Sequence, residues 1–320
     1  MSNQTTSSSL PSLLVVDDQP LNIQTLYEIF SETHQVRMAT SGLEALAACV
    51  EELPDLILLD VVMPEMDGHE VCQRLKRDER TRDIPIIFVT AQNDAHDEAI
   101  GLELGAVDFI TKPVNAAVVR ARVRTHLQLR EALHQVWELA FHDALTKLPN
   151  RRLLGDRLGQ AMAAGNRTSN HGALMFLDLD NFKPLNDLHG HEMGDQLLVE
   201  AAERLQRCVR ETDTVARFGG DEFVVLLSSL TTDQGESTAL ATAIAEKIRN
   251  ALAEPYVLTM ERDGTPPSKL QHRCTGSIGV VLFHGHKDAQ GDILKWADAA
   301  MYQAKEAGRN LIRFYASNCK

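Results

Sequence analysis

The chain has 320 residues, 44% hydrophobic and 24% charged, more than one hydrophobic core ordinarily serves, so two globular units are expected. Its formal net charge of -13 excludes a nucleic-acid backbone as the main partner, because phosphate binding needs a basic surface. No apolar run approaches membrane-spanning length, and the five cysteines (Cys49, Cys72, Cys208, Cys274, Cys319) never form a Cys-x-x-Cys pair, the pattern of reduced thiols in a cytoplasmic protein with no membrane partner.

Residues 1–10 are polar and Ser/Thr-rich, with no basic stretch leading into an apolar one, and are expected as a disordered tail. From residue 11 to 125 short apolar runs alternate with helix-like stretches, the pattern of a doubly wound parallel sheet. Leu13-Leu14-Val15-Val16 ends in Asp17-Asp18, Leu56-Ile57-Leu58-Leu59 in Asp60, Ile86-Ile87-Phe88-Val89 in Thr90, and Asp108-Phe109-Ile110-Thr111 in Lys112-Pro113. Ligands of such sheets sit outside the carboxyl ends of the strands, so these polar groups are expected to converge on one crevice. A single Asp there is explained by capping the next helix, but four strand ends with complementary chemistry are not.

Asp17-Asp18, the run Asp60-Val61-Val62-Met63-Pro64-Glu65-Met66-Asp67-Gly68 and Lys112-Pro113 together resemble the receiver domain of two-component response regulators. The resemblance implies a (βα)5 receiver fold, Asp60 as phosphoacceptor and a sensor histidine kinase as phosphoryl donor. It further implies one Mg²⁺ held by Asp17, Asp18, Asp60 and the Val62 carbonyl, an oxygen cage that suits this hard ion. Lys112 would offset the charge of the acyl phosphate, the Thr90 hydroxyl would move towards it, and Phe109 would follow Thr90 as the switch aromatic. Lys112-Pro113 is a candidate cis peptide.

Residues 116–141 contain neither Gly nor Pro and read as one long helix; residues 126–142 are expected as a helical linker between domains. Val119, Val123, Leu129, Leu133, Val136 and Ala140 approximate a coiled-coil seam that His126 and Arg130 interrupt. The alternative is an amphipathic helix packed on its own domain.

From residue 143 to 320 the informative stretch is Arg217-Phe218-Gly219-Gly220-Asp221-Glu222-Phe223, two acids just past a Gly-Gly pair between apolar runs that read as strands. Upstream, the apolar run 173–180 also ends in acids, Asp178 and Asp180, so acids from two strand ends could share a divalent ion. A Gly-Gly hairpin followed by acids is, alone, also what a solvated turn looks like. Here it is accompanied by Asp143-Ala144-Leu145-Thr146-Lys147-Leu148-Pro149-Asn150-Arg151-Arg152, Gly276-Ser277-Ile278-Gly279-Val280 and the stretch 297–310. Together these resemble the GGDEF family of diguanylate cyclases across the C-terminal half of the chain.

That resemblance implies an α+β cyclase domain with a mixed, palm-like sheet that makes cyclic di-GMP from two GTP. Asp178, Asp221, Glu222 and the Leu179 carbonyl would hold two Mg²⁺ or Mn²⁺ ions per half-site. The amides of Phe182 and Lys183, at a helix start, would bind the β and γ phosphates, with Lys305 and Arg309 reaching the same groups. Asp221 and Glu222 are both candidates for the general base. Each domain holds one GTP, so a homodimer or higher homo-oligomer is implied, with phosphorylation as input and dimer geometry as signal. Asn186 and Asp195 match the guanine readers; a carboxylate accepts from N1-H and the 2-amino group of guanine, whereas adenine would leave it unpaired.

Arg210-Glu211-Thr212-Asp213 matches the family's Arg-x-x-Asp inhibitory product site, the alternative being a surface ion pair. Asp180 is expected to cap the turn at residues 181–185, and His189 and His191 to lie in a solvated loop. Two other classes compete: a degenerate domain that binds GTP or cyclic di-GMP without turnover, and a response regulator whose output is protein binding. Residues 255–274 read as a long hairpin loop with no assigned function.

Overall fold

The computed structural model describes residues 10–91, 95–262, 265–285 and 288–316. The expected tail, save for Leu10, lies outside the described residues, as do Gly264 and Cys319. The chain divides into two compact units, Met1–Gln135 and Val136–Lys320. Among the described residues no helix is long and apolar enough to cross a membrane.

The first unit runs β1 (Ser12–Val16), α1 (Pro20–Phe30), β2 (Gln35–Ala39), α2 (Gly42–Glu51), β3 (Leu56–Leu59), α3 (Gly68–Arg77), β4 (Ile86–Thr90), α4 (Ala95–Glu103), β5 (Asp108–Thr111) and the start of α5 (Ala116–Phe141). The five strands pair in parallel in the order β2-β1-β3-β4-β5. Leu14, Val16, Ile57 and Leu59 pack into one core, while Leu13, Val15, Leu56 and Leu58 pack into another on the opposite face. Burial on both faces is why these strands read as continuous apolar runs. The edge strand β2 is only partly covered, with Gln35 and Met38 exposed and Ala39 buried, and carries no such run. Local chemistry sets the helix starts: Pro20 opens α1, Ser41 accepts from the Glu44 amide, and Asp67 accepts from the Glu70 amide.

Helix α5 is unbroken over the expected span. Val119 and Val123, expected on a pairing seam, are instead fully buried in the core of the first unit. The interrupting residues face that unit as well: His126 lies 3.2 Å from Asp108 and Arg130 bonds Asp55 at 2.8 Å. Leu129, Leu133 and Val136 remain exposed. The first turns of α5 thus follow the packed-helix alternative.

The second unit runs α6 (Arg151–Thr168), β6 (His171–Asp180), α7 (Phe182–His189), α8 (His191–Cys208), β7 (Thr214–Gly219), β8 (Glu222–Leu227), α9 (Gln234–Ala253), β9 (Tyr256–Arg262), β10 (Thr265–His272), β11 (Thr275–His284), α10 (Gln290–Glu306) and β12 (Ile312–Phe314). Its five-stranded sheet has the order β12-β11-β6-β8-β7, antiparallel except for the β11-β12 pair, and is therefore mixed. Leu177 and Leu179 face a core shared with α8 and α9, and Leu174 and Phe176 one shared with α6 and α10. His189 closes α7 and His191 opens α8, so neither lies in a loop.

Strands β9 and β10 form a separate two-stranded antiparallel ribbon where a hairpin loop was expected. Tyr256, Leu258 and Met260 turn into the core at every second residue, the period of a strand.

Candidate phosphoacceptor and nucleotide sites

At the carboxyl edge of the first sheet, Lys112 Nζ lies 2.7 Å from Asp17 Oδ2 and 2.7 Å from Asp60 Oδ2. Both acids are buried, 1% and 3% exposed. Asp17 Oδ1 also accepts from the Gln19 amide and Asn22 Nδ2, each at 2.9 Å, and so steadies the entry to α1. Asp17, Asp18 and Asp60 each offer an oxygen within 4.8 Å of the others, the one such group of three among the described residues. One Asp18 oxygen is buried with no hydrogen-bond partner, so this all-oxygen donor set fits a hard divalent ion.

Burial pushes the Asp60 carboxyl above the ordinary range, and the bonds to Lys112 work against that rise. Burial also pulls on Lys112, but bonds to Asp17 and Asp60 outweigh it and its ammonium is held charged more firmly than usual. Val62 donates its amide to Asp60 Oδ1 at 3.4 Å. Thr90 is buried at the end of β4, and its carbonyl accepts from the Lys112 amide at 2.8 Å. Phe109 is half-buried opposite Phe88, with the Arg122 guanidinium 6.0 Å from its ring. The Lys112-Pro113 peptide is cis.

In the second unit the β6-β8 register sets Asp178 opposite Glu222, and the Leu179 amide donates to the Asp221 carbonyl at 3.2 Å. The turn between β7 and β8 passes through Gly220 at φ 53°, a conformation that a side chain would strain. Lys305, in the last turn of α10, bonds Asp178 Oδ2 at 2.7 Å. Burial pushes Asp178 up to about 6; the Lys305 bond opposes this, and the charges of Asp221 and Glu222 add to it. Glu222 is likewise raised, first by burial and then by Asp298 and Asp221. Asp298 belongs to the stretch 297–310, where the sequence assigns it no role. The acids are neighbours, but their oxygens do not all fall within the 4.8 Å that Asp17, Asp18 and Asp60 meet. Raised carboxyls at Asp178 and Glu222, with Asp221 beside them on adjoining strand ends, are a hard-oxygen donor set that suits Mg²⁺ or Mn²⁺.

Arg309 stands beyond α10 at φ 63° and is exposed; among the described residues it makes no ion pair with the acids. Asp180 does not cap α7, whose N-cap Asn181 is left-handed with no side-chain bond. It is buried and accepts from Thr275 Oγ1 at 2.7 Å, Ser277 Oγ at 2.8 Å and the Asn310 amide at 3.0 Å. Alternation along β6 puts it on the sheet face that α6 and α10 cover, and its bonds to Thr275, Ser277 and Asn310 tie the sheet to the chain that carries Lys305 and Arg309.

Phe182 and Lys183 open α7, whose first turn contains no acid. Asn186 Oδ1 is buried with no hydrogen-bond partner. It lies against Gly194, where an added Cβ would meet that oxygen at 2.0 Å, so only glycine lets α8 approach the amide. Asp195, the next residue, is exposed. The selectivity expected from this acid therefore has an open carboxylate as its starting point.

Residues 140–311, over half of the chain, match the family described as diguanylate cyclase, GGDEF domain. The chain belongs to the GGDEF family. Residues 13–124 match the response regulator receiver domain, so a receiver domain precedes the GGDEF domain. Over 216 residues the chain is 40% identical to the bifunctional diguanylate cyclase/cyclic di-GMP phosphodiesterase MucR of Pseudomonas aeruginosa, covering 67% of this chain and 29% of that protein. Over 268 residues it is 34% identical to the response regulator PleD of Caulobacter vibrioides, covering 81% and 56% respectively. The chain thus spans well under two thirds of the length of these relatives. Among solved structures, the coiled coil and GGDEF domain of DgcB from Caulobacter crescentus, in complex with c-di-GMP, is similar at 28% identity and a TM-score of 0.52, covering 62% of this chain and 97% of that one.

Within the GGDEF domain, Arg210 and Asp213 do not form a surface ion pair. The Arg210 amide donates to Asp213 Oδ2 at 3.1 Å and the Asp213 amide to the Arg210 carbonyl at 3.0 Å, a closed turn that leaves the Arg210 side chain exposed. Sequence reasoning gave no role to Arg217. It bonds Asp143 Oδ1 at 2.9 Å and donates from Nε and Nη2 to the Gly220 carbonyl at 3.0 and 2.7 Å, joining the first residue of the domain motif to the signature turn. An arginine and an acid at fixed places in the two quoted motifs were the available signal.

Proposed function

We propose that this chain is a two-component response regulator that synthesises cyclic di-GMP from two GTP, releases two pyrophosphates and is switched by phosphorylation of Asp60. The observation that carries the reading is the β6-β8 register, which sets Asp178, Leu179, Asp221 and Glu222 at one edge with Lys305 against them. Membership of the GGDEF family supports it, as does similarity to relatives named as diguanylate cyclases.

In this reading Asp178, Asp221, Glu222 and the Leu179 carbonyl hold two Mg²⁺ or Mn²⁺ ions, whose positive charge offsets the triphosphate. The Phe182 and Lys183 amides, with Lys305 and Arg309, position the β and γ phosphates, while Asn186 and Asp195 hold the guanine edge. The 3′-oxygen of one GTP attacks the α-phosphorus of the other. The bond from that phosphorus to the bridging oxygen breaks, pyrophosphate leaves with the electron pair, and Asp221 or Glu222 takes the 3′-proton. Each chain binds one nucleotide, so the reaction needs a homodimer or a higher homo-oligomer.

In the receiver domain, an Asp60 oxygen attacks the phosphorus of a phosphohistidine on a sensor histidine kinase in the cytoplasm, and the P–N bond breaks to leave the kinase histidine; Asp17, Asp18, Asp60 and the Val62 carbonyl would hold one Mg²⁺ to offset the phosphoryl charge. Lys112 balances the new charge, and Thr90 and Phe109 move with it. Arg210 and Asp213 bind cyclic di-GMP and inhibit. The domain division used is residues 11–125, 126–142 and 143–320.

The test incubates the full chain with GTP and Mg²⁺, with and without beryllofluoride as an acyl-phosphate mimic, and scores cyclic di-GMP. Product that rises with the mimic, a rise lost in Asp60→Asn, is expected. No product under either condition overturns the cyclase reading, and an equal rise in Asp60→Asn overturns the switch.

A further inference from the structure

The ribbon β9-β10 has no part in the chemistry above. Thr259 pairs with Lys269 of β10 on one side and presents its amide and carbonyl on the other edge of β9. That edge is met by one side chain of α8. Gln196 Oε1 accepts from the Thr259 amide at 2.8 Å, and Gln196 Nε2 donates to the Thr259 carbonyl at 2.8 Å. A primary amide bonded to both backbone groups of one residue copies the pairing that a neighbouring strand would offer. Two such bonds fix the rotation of the helix about its axis as well as its position along it.

A second clamp sits about two turns further along α8. The Arg204 guanidinium lies 3.8 Å from the centre of the Tyr256 ring and donates to the carbonyls of Ala251, Glu254 and Pro255. The helix is therefore held at two levels by the start of the ribbon. Asp195 is adjacent to Gln196, and Gly194, one residue earlier, is the surface against which the Asn186 amide oxygen is packed. Any rotation of α8 moves the Asp195 carboxylate relative to the Asn186 amide.

We propose that Gln196 is a positioning residue for guanine recognition: its paired bonds to Thr259 hold α8 at the rotation where Asp195 and Asn186 meet the same purine edge. The ribbon is then the external brace of the nucleotide site. This inference rests on the assignment of Asn186 and Asp195 as guanine readers.

The test uses GDP and IDP, which differ only in the 2-amino group and cannot be cyclised because they have no pyrophosphate to expel. Calorimetry with Mg²⁺ gives both affinities for the full chain, for Gln196→Met and for Thr259→Pro. Methionine keeps side-chain length and helix propensity while removing both bonds. Proline removes only the Thr259 donor, at an edge position where it is tolerated, and decides the matter if Gln196→Met fails to fold. The parent is expected to prefer GDP, and each folded variant to bind GDP roughly tenfold more weakly while IDP, which keeps N1-H but lacks the 2-amino group, weakens by less, so the preference for GDP narrows. A folded variant that keeps the parental preference overturns the proposal, as does equal weakening of GDP and IDP, the mark of a purely structural role. A parent without preference for GDP overturns the reader assignment and this proposal with it. A parent that selects GDP yet makes no cyclic di-GMP defeats the cyclase reading alone, and the variants still decide this one.

Discussion

Asp60 and Asp178 both lie at the carboxyl edge of a buried strand, both have further acids beside them, and both have a lysine nitrogen 2.7 Å from one oxygen. There the likeness ends. Lys112 bridges two buried acids, and three aspartates converge within 4.8 Å. Lys305 reaches one acid, while Asp221 and Glu222 are half-buried on a neighbouring strand end and stay apart. A site that takes a small phosphoryl group can be completed and enclosed by one chain. In the proposed reading, a site that must present a whole nucleotide to another nucleotide has to leave a side open; the carboxyls of Asp60 and Asp178 are raised alike, each first by burial.

The strongest way to break this comparison is Asp221→Ala. If the open site is the cyclase centre, cyclic di-GMP synthesis falls roughly 10³-fold while the circular dichroism melt is retained, because a half-exposed acid contributes little to the fold. Undiminished synthesis contradicts the metal assignment. Arg210→Ala comes next: removing an exposed charged group outside both acidic sites is expected to raise the inhibition constant for cyclic di-GMP by about tenfold or more, with initial rates unchanged. Equal inhibition constants in variant and parent would rule out the product site.

Asp180→Ala separates support from chemistry. It leaves Thr275, Ser277 and the Asn310 amide without their acceptor, a loss of about 3 kcal/mol. For a domain of this size that lowers the melting midpoint by roughly 6–12 °C. An unchanged midpoint would show that the buried carboxylate does not tie the sheet to the segment after α10. The smallest effect concerns Cys274, whose thiol burial and the nearby Asp180, Asp178 and Asp221 charges push up to about 12. At pH 8 it lies far below that value and stays a thiol, so mass spectrometry should find it unalkylated by iodoacetamide until denaturant is added. Rapid labelling of the native chain would mean that this end of β11 opens to solvent.

Much of both sites was legible because strand ends advertise themselves. Val16 and Leu59 close apolar runs, so the sequence alone places Asp17 and Asp60 at one sheet edge, and Gly219-Gly220 mark the turn that brings Asp221 beside Leu179. Edge strand β2 was harder to see, since Gln35 and Arg37 interrupt its apolar residues. The β9-β10 ribbon was missed as strand because its alternation is interrupted by Pro266 and Pro267 and only one face is covered.

Local chemistry was enough to determine the two-domain order, the parallel sheet, the uninterrupted helix 116–141 and the acids that end the strands, because each depends on period, turn residues and short-range backbone preference, whereas the mixed sheet was implied by the family resemblance. The tertiary structure alone decided which partner each polar group takes. Asp180 chose Thr275, Ser277 and Asn310 over a cap, Val119 and Val123 chose the core of the first unit over a seam, and Gln196 chose the backbone of Thr259. These pairings join residues tens of positions apart in most cases, and no local propensity encodes them; they follow from which buried groups the packed chain leaves in need of a hydrogen bond or a hydrophobic neighbour.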